Sequence, residues 1–311
     1  MRTQEAVMIE IRRILCPVDF SDFSRRALDH AIAIARWYES TVTALHVFSP
    51  APVAAWGPGP VVFEPIVLTA ADREQLLADT KAFIEAETAP GVAIEALVRE
   101  GNTAAEIVDQ ATDMSADLLV IGTHGRSGFE RLLLGSVAEK VLRKARCPVL
   151  TVPRRLPDAV PSGPVLFKRI LCAVDFSESS LTALKYALSL AQEADGCVTV
   201  VHVLGAEFVG QVGIGEEHVS LAAFQRQHEE EARKLLDKAV PESAAAYCKA
   251  DTMLLRGKPW REILRIASDR QAELIVMGVH GRGAADLMFF GSTTQHVVRE
   301  ATCPVLTLRG E

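Results

Sequence analysis

The sequence has few of the residues that mark several large classes of protein. Its six cysteines are scattered over 311 residues without a Cys-x-x-Cys pair or zinc-like spacing, which excludes a disulfide framework and a zinc module. No apolar run approaches the roughly 18 residues that span a bilayer, and the charged residues within 1–14 predict no signal peptide. Lys and Arg number 33 against 40 Asp and Glu, so neither a nucleic-acid surface nor a membrane surface is expected. We expect a globular cytoplasmic protein with reduced thiols.

Three common enzyme motifs are also missing. No G-x-G-x-x-G follows the first predicted strand, which disfavours a dinucleotide-dependent dehydrogenase. The Gly-Lys-Pro at 257–259 has neither the earlier glycine nor the following Ser or Thr of a Walker loop. G-x-S-x-G is absent as well, which disfavours the usual hydrolase elbow.

The chain is an internal duplication. RILCPVDFS at 13–21 returns as RILCAVDFS at 169–177, 156 positions later, and the same offset relates CPVLT at 147–151 to CPVLT at 303–307. A constant offset means that no net insertion separates the copies. Because a Pro-rich stretch lies between them, we predict a domain over 1–153, a semi-rigid linker over 154–167 and a second domain over 168–311.

Each copy alternates strand and helix signals. Short apolar runs predict strands, and apolar residues at a 3.6-residue period predict helices. In the first copy the expected strands are Ile11–Val18, Thr41–Phe48, Val92–Arg99, Leu118–Gly122 and Val149–Val152, and the expected helices are Ser24–Glu39, Ala71–Glu87, Thr103–Thr112 and Ser136–Arg146. A Pro/Gly-rich loop is expected over 49–65. This order predicts two doubly wound, Rossmann-like α/β domains, each with five parallel strands covered on both faces.

The most specific motif is a glycine-rich loop that occurs twice, with the pattern Gly-x2-Gly-x9-Gly-Ser. It comprises Gly122, Gly125, Gly135 and Ser136, then Gly278, Gly281, Gly291 and Ser292. Such a loop lets backbone amides face an anion, and a serine at the start of the next helix adds its hydroxyl and the first-turn N–H groups. The alternative is a set of turn glycines followed by an ordinary helix cap, which needs no ligand.

A carboxylate follows the first strand of each copy, at Asp19 and Asp175. If the first and fourth strands flank the point where strand order reverses, this carboxylate faces the same crevice as the glycine loop. It could there accept hydrogen bonds from a ribose hydroxyl or a base amine. The alternative is that Asp19 only helps Ser21 to cap the following helix.

These residues resemble the universal stress protein family in its nucleotide-binding branch. The resemblance rests on Val-Asp-Phe-Ser after the first strand, Leu-His-Val in the second strand and the glycine loop, and it covers nearly the whole chain twice. It implies a tandem protein with an adenine nucleotide alpha hydrolase-like fold. The contacts implied for adenosine are Asp19, Val47, Asp175 and Val203, and those implied for ribose and phosphates are Gly122, Gly125, Gly135, Ser136, Val137, Gly278, Gly281, Gly291, Ser292 and Thr293.

The resemblance further implies ATP, or ADP or AMP, in both copies, with Mg²⁺ beside the phosphates, in a regulatory protein of the stress response. Family members commonly pair through their last strands, so 148–152 and 304–308 could pair within the chain, and a homodimer and an unknown protein partner are further options. One loop cation is shared, as Arg126 and Arg282, whereas Arg131 becomes Leu287. We therefore expect the first site to hold polyphosphate more tightly.

Several residues have a simpler interpretation. His46 and His202 are expected to be buried, hydrogen-bonded histidines rather than metal ligands. His124 and His280 are expected to contact phosphate or solvent rather than act as acid–base groups. Cys16 and Cys172 are expected in the core. Two alternatives to a nucleotide-binding regulator stay open: a slow ATPase or phosphotransferase on the same scaffold, and an interaction scaffold whose glycines only form turns.

Overall fold

The structure is a computed structural model, and it describes residues 9–50, 52–55, 62–65, 68–85, 91–123, 134–153, 167–205, 221–242, 244, 248–279 and 291–310. The chain divides into two compact units, Glu10–Arg154 and Arg155–Glu311 with Met1–Ile9. The linker over 154–167 stays a prediction.

In its described residues, the first unit contains five parallel strands and four helices. The strands are β1 (Arg13–Pro17), β2 (Thr41–Phe48), β5 (Ala93–Glu100), β6 (Leu118–Gly122) and β7 (Val149–Val152). The helices are α1 (Asp22–Tyr38), α2 (Ala70–Glu85), α3 (Thr103–Asp113) and α4 (Ser136–Lys144). The strand order is β5-β2-β1-β6-β7, and every neighbouring pair is parallel.

The second unit repeats this arrangement. Its strands are β8 (Arg169–Ala173), β9 (Cys197–Leu204), β10 (Lys249–Arg256), β11 (Leu274–Gly278) and β12 (Val305–Leu308), in the order β10-β9-β8-β11-β12. Its helices are α5 (Glu178–Glu193), α6 (Leu221–Ala239), α7 (Pro259–Asp269) and α8 (Ser292–Glu300). The pairing is again parallel throughout. The predicted doubly wound α/β fold with five strands per copy is confirmed.

The central strands are covered on both faces. Ile14, Leu15 and Cys16 are consecutive in β1, and each is fully buried. Because successive side chains point to opposite faces of a sheet, such a run is buried only where helices pack on both sides. Cys172 has the same environment in β8, which confirms the expected core position of both thiols, and burial raises the pKa of each.

One expectation for the first unit is wrong. The stretch 49–65, predicted as a loop, contains an antiparallel pair of short strands, β3 (Pro52–Ala55) and β4 (Val62–Pro65). Pro52 is opposite Pro65 at the open end of this ribbon. A missing N–H is tolerated at the edge of a two-stranded ribbon, so the prolines that suggested a loop also suit this position.

Backbone conformation shows the duplication independently of side chains. Phe20 and Phe176 have φ of 64° and 63°, and Gly101 and Gly257 have φ of 150° and 147°. A left-handed phenylalanine is uncommon. Its recurrence at matching positions means that the strand-end turn is a built feature of the fold.

Candidate functional site

The site lies where strand order reverses in each unit. β1 pairs with β2 on one side and with β6 on the other, and β8 likewise lies between β9 and β11. The carboxyl ends of the first and fourth strands of each copy are therefore neighbours, as the sequence argument required. In open α/β sheets this edge is where ligands bind.

Asp19 is held in a tight turn directly after β1. Its Oδ1 accepts hydrogen bonds from the amide of Ser21 at 3.1 Å and from the Ser21 hydroxyl at 2.5 Å. The Ser21 Oγ in turn accepts from the amide of Ser24 at 3.2 Å, which caps α1. The capping role considered for Asp19 is therefore present, and a contact with a ligand stays a prediction.

The second copy builds the same turn from Asp175. Its Oδ1 accepts from the amide of Ser177 at 3.1 Å and from the hydroxyl at 2.5 Å. The amide of Asp175 donates to Ser180 Oγ at 3.2 Å, as that of Asp19 donates to Ser24 Oγ at 3.3 Å. Sequence analysis missed Ser24 and Ser180. The repeated spacing Asp-Phe-Ser-x-x-Ser was the available signal.

The turn is supported by an aromatic contact with the neighbouring strand. Phe20 stacks on the His46 ring with centroids 4.4 Å apart, and His46 Nδ1 donates to the carbonyl of Val18 at 2.9 Å. His202 donates to the carbonyl of Val174 at 2.7 Å in the second copy. The expected hydrogen bonds are confirmed, but both histidines are half-buried rather than buried, because they lie near the open carboxyl ends of their strands. The two hydrogen bonds tie the ends of the first two strands together.

Val47 and Val203 are the next residues in these strands. Each is half-buried and lies one residue before its strand ends. Their register partners on the outer strands are Arg99 and Leu255. This places both valines at the carboxyl edge of the sheet, next to the strand that carries the aspartate turn.

The helix that follows the fourth strand begins at the same edge. The amide of Gly135 donates to the carbonyl of Thr123 at 2.8 Å, just beyond Gly122 at the end of β6. In the second copy the amide of Gly291 donates to the carbonyl of Val279 at 3.1 Å. These hydrogen bonds hold the starts of α4 and α8 beside the ends of β6 and β11.

The first turns of α4 and α8 are not capped by a side chain. Their N-cap residues are Gly135 and Gly291, which have none, whereas Ser21, Asn102 and Ser177 cap α1, α3 and α5 through their side-chain oxygens. Ser136 and Ser292 are the first helical residues and are exposed. Helix N-termini carry N–H groups without intrahelical partners and a partial positive charge, a combination that favours an anion.

At two positions of the second copy, packing within the protein explains why the residue is glycine. A Cβ on Gly278 would lie 2.5 Å from Ser179 Oγ and 3.0 Å from the amide nitrogen of Ser180. A Cβ on Gly291 would lie 2.9 Å from the carbonyl oxygen of Val279. A backbone carbonyl therefore disfavours any side chain at position 291, and the Ser179 hydroxyl together with the backbone of Ser180 disfavours one at position 278.

The middle of each glycine loop lies outside the described residues. This applies to Gly125, Arg126 and Gly281 with Arg282, and to the other loop residues singled out above, His124, Arg131, His280 and Leu287. The described part of each candidate site consists of Asp19, Val47, Gly122, Gly135, Ser136 and Val137, and of Asp175, Val203, Gly278, Gly291, Ser292 and Thr293.

The described residues contain no cluster of three or more His, Cys, Asp or Glu side chains arranged to hold a metal ion. Within the same ranges, no helix combines the length and apolar character needed to cross a membrane.

Comparison with known proteins shows what this chain is similar to. A sequence profile described as the universal stress protein family matches residues 10–153 and again residues 166–309. A universal stress protein of Methanocaldococcus jannaschii is 40% identical over 144 residues, 45% of this chain and 81% of that protein. A universal stress protein of Mycolicibacterium smegmatis is 26% identical over 309 residues, 95% of this chain and 96% of that protein.

A solved structure matches over the whole length. The crystal structure of a universal stress protein from Archaeoglobus fulgidus has a TM-score of 0.63 at 23% identity and covers 97% of this chain and 98% of that one. The two proteins share the tandem fold.

Proposed function

This chain belongs to the universal stress protein family, and from that premise we propose that it binds an adenine nucleotide of the ATP class in each of its two units and acts as a regulator of the stress response. The single observation that carries the proposal is the convergence, in both copies, of the aspartate turn and a helix start without a side-chain cap at the strand-order switch. The aspartate carboxylate suits a sugar hydroxyl or base amine, and the N–H groups at the helix start suit phosphate.

The described residues fit such a ligand. The amides at Ser136 and Val137, and at Ser292 and Thr293, lie in the first turns of α4 and α8, where the helix dipole favours negative charge. Asp19 and Asp175 supply acceptors at the adjoining strand end. Because the whole chain has a net charge of −7, a polyphosphate must be held by these local groups rather than by the overall field.

Magnesium would accompany the phosphates. The described residues offer it no cluster of three ligating side chains. We therefore propose that phosphate oxygens and water supply most of its ligands, as is common for Mg²⁺. Within this proposal the loops over 123–134 and 279–290 would contribute Gly125, Arg126, Gly281 and Arg282, and the bound nucleotide would favour one arrangement of them rather than be consumed.

An interaction scaffold is the second candidate, because one observation favours it. Gly278 and Gly291 are favoured by contacts with Ser179, Ser180 and Val279, so their presence does not by itself need a ligand. The two candidates differ in what purified protein contains. A binder releases a nucleotide on denaturation, with up to two molecules per chain, whereas a scaffold releases none. Phosphate release from ATP, if it is lost in Asp19→Ala, would instead favour the slow ATPase.

Proline substitution separates the contribution of a backbone amide from that of a side chain. Gly135 has φ −57° and ψ 142°, and Gly291 has φ −57° and ψ 140°. Both conformations suit a residue before proline, and proline is favoured at the first helical position, as Pro259 in α7 illustrates. Ser136→Pro and Ser292→Pro therefore remove an N–H and a hydroxyl while leaving the helix intact, whereas Ser136→Ala and Ser292→Ala remove the hydroxyl alone.

Calorimetric titration with Mg-ATP gives the measurement. We expect each alanine variant to weaken its own site several-fold and each proline variant to weaken it about 10- to 100-fold, since hydrogen bonds to charged groups contribute about 1.5–3 kcal/mol. The first site is expected to be the tighter. Heat-silent titration of the intact wild-type protein, with no nucleotide released on denaturation, would refute nucleotide binding. If the matching variants of the two copies lose nucleotide affinity equally, only the predicted difference in affinity between the two sites is refuted.

A further inference from the structure

An arginine follows the last strand of the second unit, at the edge that carries the proposed nucleotide site. β12 ends at Leu308, and Arg309 is the next residue. Leu308 is the register partner of Gly278, and its carbonyl accepts a hydrogen bond from the amide of Val279 at 2.7 Å. The carbonyl of Val279 in turn accepts from the amide of Gly291 at 3.1 Å. Val279 therefore joins the strand end that carries Arg309 to the start of α8.

The alternation of the backbone shows which face of the sheet Arg309 points to. A Cβ on Gly278 would lie 2.5 Å from Ser179 Oγ, and a Cβ on Gly310 would lie 3.6 Å from the amide nitrogen of Ser179. Positions 278 and 310 therefore both face α5. Because successive residues of an extended chain point to opposite faces, the Arg309 side chain lies on the face away from α5.

Helix α8 covers that same face. α5 connects β8 to β9 and α8 connects β11 to β12, and these crossovers run in opposite directions from the point where strand order reverses. Since such crossovers are right-handed, the two helices lie on opposite faces of the sheet. Neighbouring strands are about 4.8 Å apart, so the long side chain of Arg309, beside Val279, is within reach of the first turn of α8.

The charge of Arg309 suits an anion at this place. Arg309 is half-buried, and burial lowers the pKa of its guanidinium. An arginine nevertheless stays protonated in a protein, so a partly desolvated cation lies at this edge. The N–H groups in the first turn of α8 carry a partial charge of the same sign. Two positive groups on one face of one edge favour an anion between them, and a planar guanidinium can bind two phosphate oxygens at once.

The matching position of the first unit differs. It is occupied by Pro153, which is buried and has no donor in its side chain. The glycine loops differ in the opposite sense, because Arg131 of the first copy matches Leu287 of the second. The second copy therefore lacks one loop cation and has a cation after its last strand instead.

Resting on the nucleotide binding proposed above, we propose that Arg309 binds the phosphate groups of the nucleotide in the second unit. Its guanidinium donates to phosphate oxygens from one side, while the amides of Ser292 and Thr293 donate from the start of α8. Arg309 thereby selects ligands by their phosphates and contributes nothing to the binding of adenosine alone. It also reduces the difference in affinity that the substitution at position 287 creates between the two units.

The test is a calorimetric titration of the full chain carrying Ser136→Pro, which weakens the first site so that the heat reports on the second. In this background Arg309→Gln should weaken Mg-ATP binding about tenfold and leave adenosine affinity unchanged, because it removes a charge-assisted hydrogen bond. Arg309→Lys keeps the charge without the planar fork and should lose about threefold. Arg270→Gln is the matched control, since it removes a cation that pairs with Asp251 at 3.3 Å near the amino edge of the same unit, and both affinities should stay unchanged.

The outcomes separate this inference from the proposed function. Equal affinity for Mg-ATP in Arg309→Gln and its parent would overturn the role of Arg309 and leave nucleotide binding intact. Equal losses for Mg-ATP and adenosine would show that Arg309 acts on the shape of the site, which would also overturn the proposal. A wild-type protein that binds neither ligand would refute nucleotide binding itself, and this inference with it.

Chemical modification of the wild-type protein tests the same contact without a variant that must fold. Phenylglyoxal modifies arginine side chains, and mass spectrometry after digestion gives the rate at each of them. Mg-ATP at about ten times its Kd should slow the modification of Arg309 about tenfold, whereas adenosine should not, and Arg270 should react at the same rate throughout. Modification of Arg309 at one rate with and without Mg-ATP would contradict the proposal.

Discussion

The two units build the same turn at the end of their first strand, but they support it differently. In the first unit Phe20 lies edge-on to Phe83 of α2 with centroids 5.6 Å apart, and the Arg25 guanidinium lies 3.9 Å above the Phe83 ring. At the matching positions of the second unit stand Leu181, which is exposed, and Ala239. The hydrogen bonds among the aspartate and the two serines recur in both copies, and the second copy adds a contact of 3.2 Å between the hydroxyls of Ser177 and Ser179. The turn is therefore determined locally by Asp, Ser and Ser, and the outer aromatic support is an addition of the first copy.

The interior of the equivalent helices differs as well. α1 carries a buried histidine, His30, whose Nδ1 donates to the carbonyl of Arg26 at 2.7 Å, and α5 has Tyr186 at the matching position. Burial lowers the pKa of His30 to about 4, and the hydrogen bond with Arg26 opposes that shift. A neutral histidine in one copy and a tyrosine in the other give the two units different responses to acid.

The largest expected difference between the units is this acid sensitivity. The unfolded chain binds a proton at His30 with a pKa near 6.5, but the folded first unit does not until about pH 4. Its free energy of unfolding should therefore fall as the pH drops from about 6.5 to about 4, by about 3 kcal/mol in total. Urea unfolding of the wild-type protein at pH 7 and pH 4.5 measures most of this loss.

Two variants sharpen the comparison. His30→Gln keeps an amide donor for the Arg26 carbonyl and removes the titration, so the contribution of His30 to the pH dependence should disappear. Tyr186 is only half-buried, so Tyr186→His should introduce a weaker dependence into the second unit. A His30→Gln protein with the same loss of stability between pH 7 and pH 4.5 as the wild type would show that His30 is not responsible.

The next effect concerns the role of the glycine that ends the fourth strand. Gly278→Ala should reduce the free energy of unfolding by about 1–3 kcal/mol without any ligand, because the added Cβ meets Ser179 and the backbone of Ser180. Gly205→Ala is the matched control, since a Cβ there meets nothing within 4 Å. Equal stability of the two variants would mean that Gly278 has no packing role and would strengthen its assignment to ligand binding.

The element order was predictable because buried parallel strands are continuous apolar runs. Leu118–Gly122 and Val149–Val152 have the predicted bounds, and the pairing of β1 with β6 follows from the α/β topology. The predicted helix Ser136–Arg146 ends earlier, at Lys144, because Ala145 is extended. The β3–β4 ribbon escaped prediction, since its prolines are as typical of a loop as of the edge of a ribbon.

The candidate site was less predictable than the fold. A glycine pattern indicates that something approaches the backbone closely, but it does not distinguish a phosphate from Ser179 or Val279. Phe20 is also not a residue that predicts a left-handed turn, because that conformation is set by the capping bonds on either side of it. The spacing of the motifs predicts where the candidate site lies, whereas the side-chain contacts around it join segments that are distant in sequence.

A smaller effect should be equal in the two units. Ser21→Ala and Ser177→Ala each remove a helix cap and the hydroxyl that donates to the aspartate, and each should cost about 1 kcal/mol of stability. Chemical unfolding followed by circular dichroism measures both losses. A cost that differs clearly between the variants would show that surroundings such as Phe83 contribute to the turn after all.

The smallest effect tests the aromatic support of the first unit. Arg25→Ala removes the cation above the Phe83 ring and the hydrogen bond from the guanidinium to the Phe83 carbonyl at 3.1 Å, and it should lower stability by about 0.5–1 kcal/mol. Leu181→Ala, its counterpart in the second unit, should cost less because Leu181 is exposed. If Arg25→Ala also weakens nucleotide binding in the first unit while Leu181→Ala leaves the second unit unaffected, the support acts through the Asp19 turn. Stability loss without a change in affinity would instead assign Arg25 to packing of α1 on α2 alone.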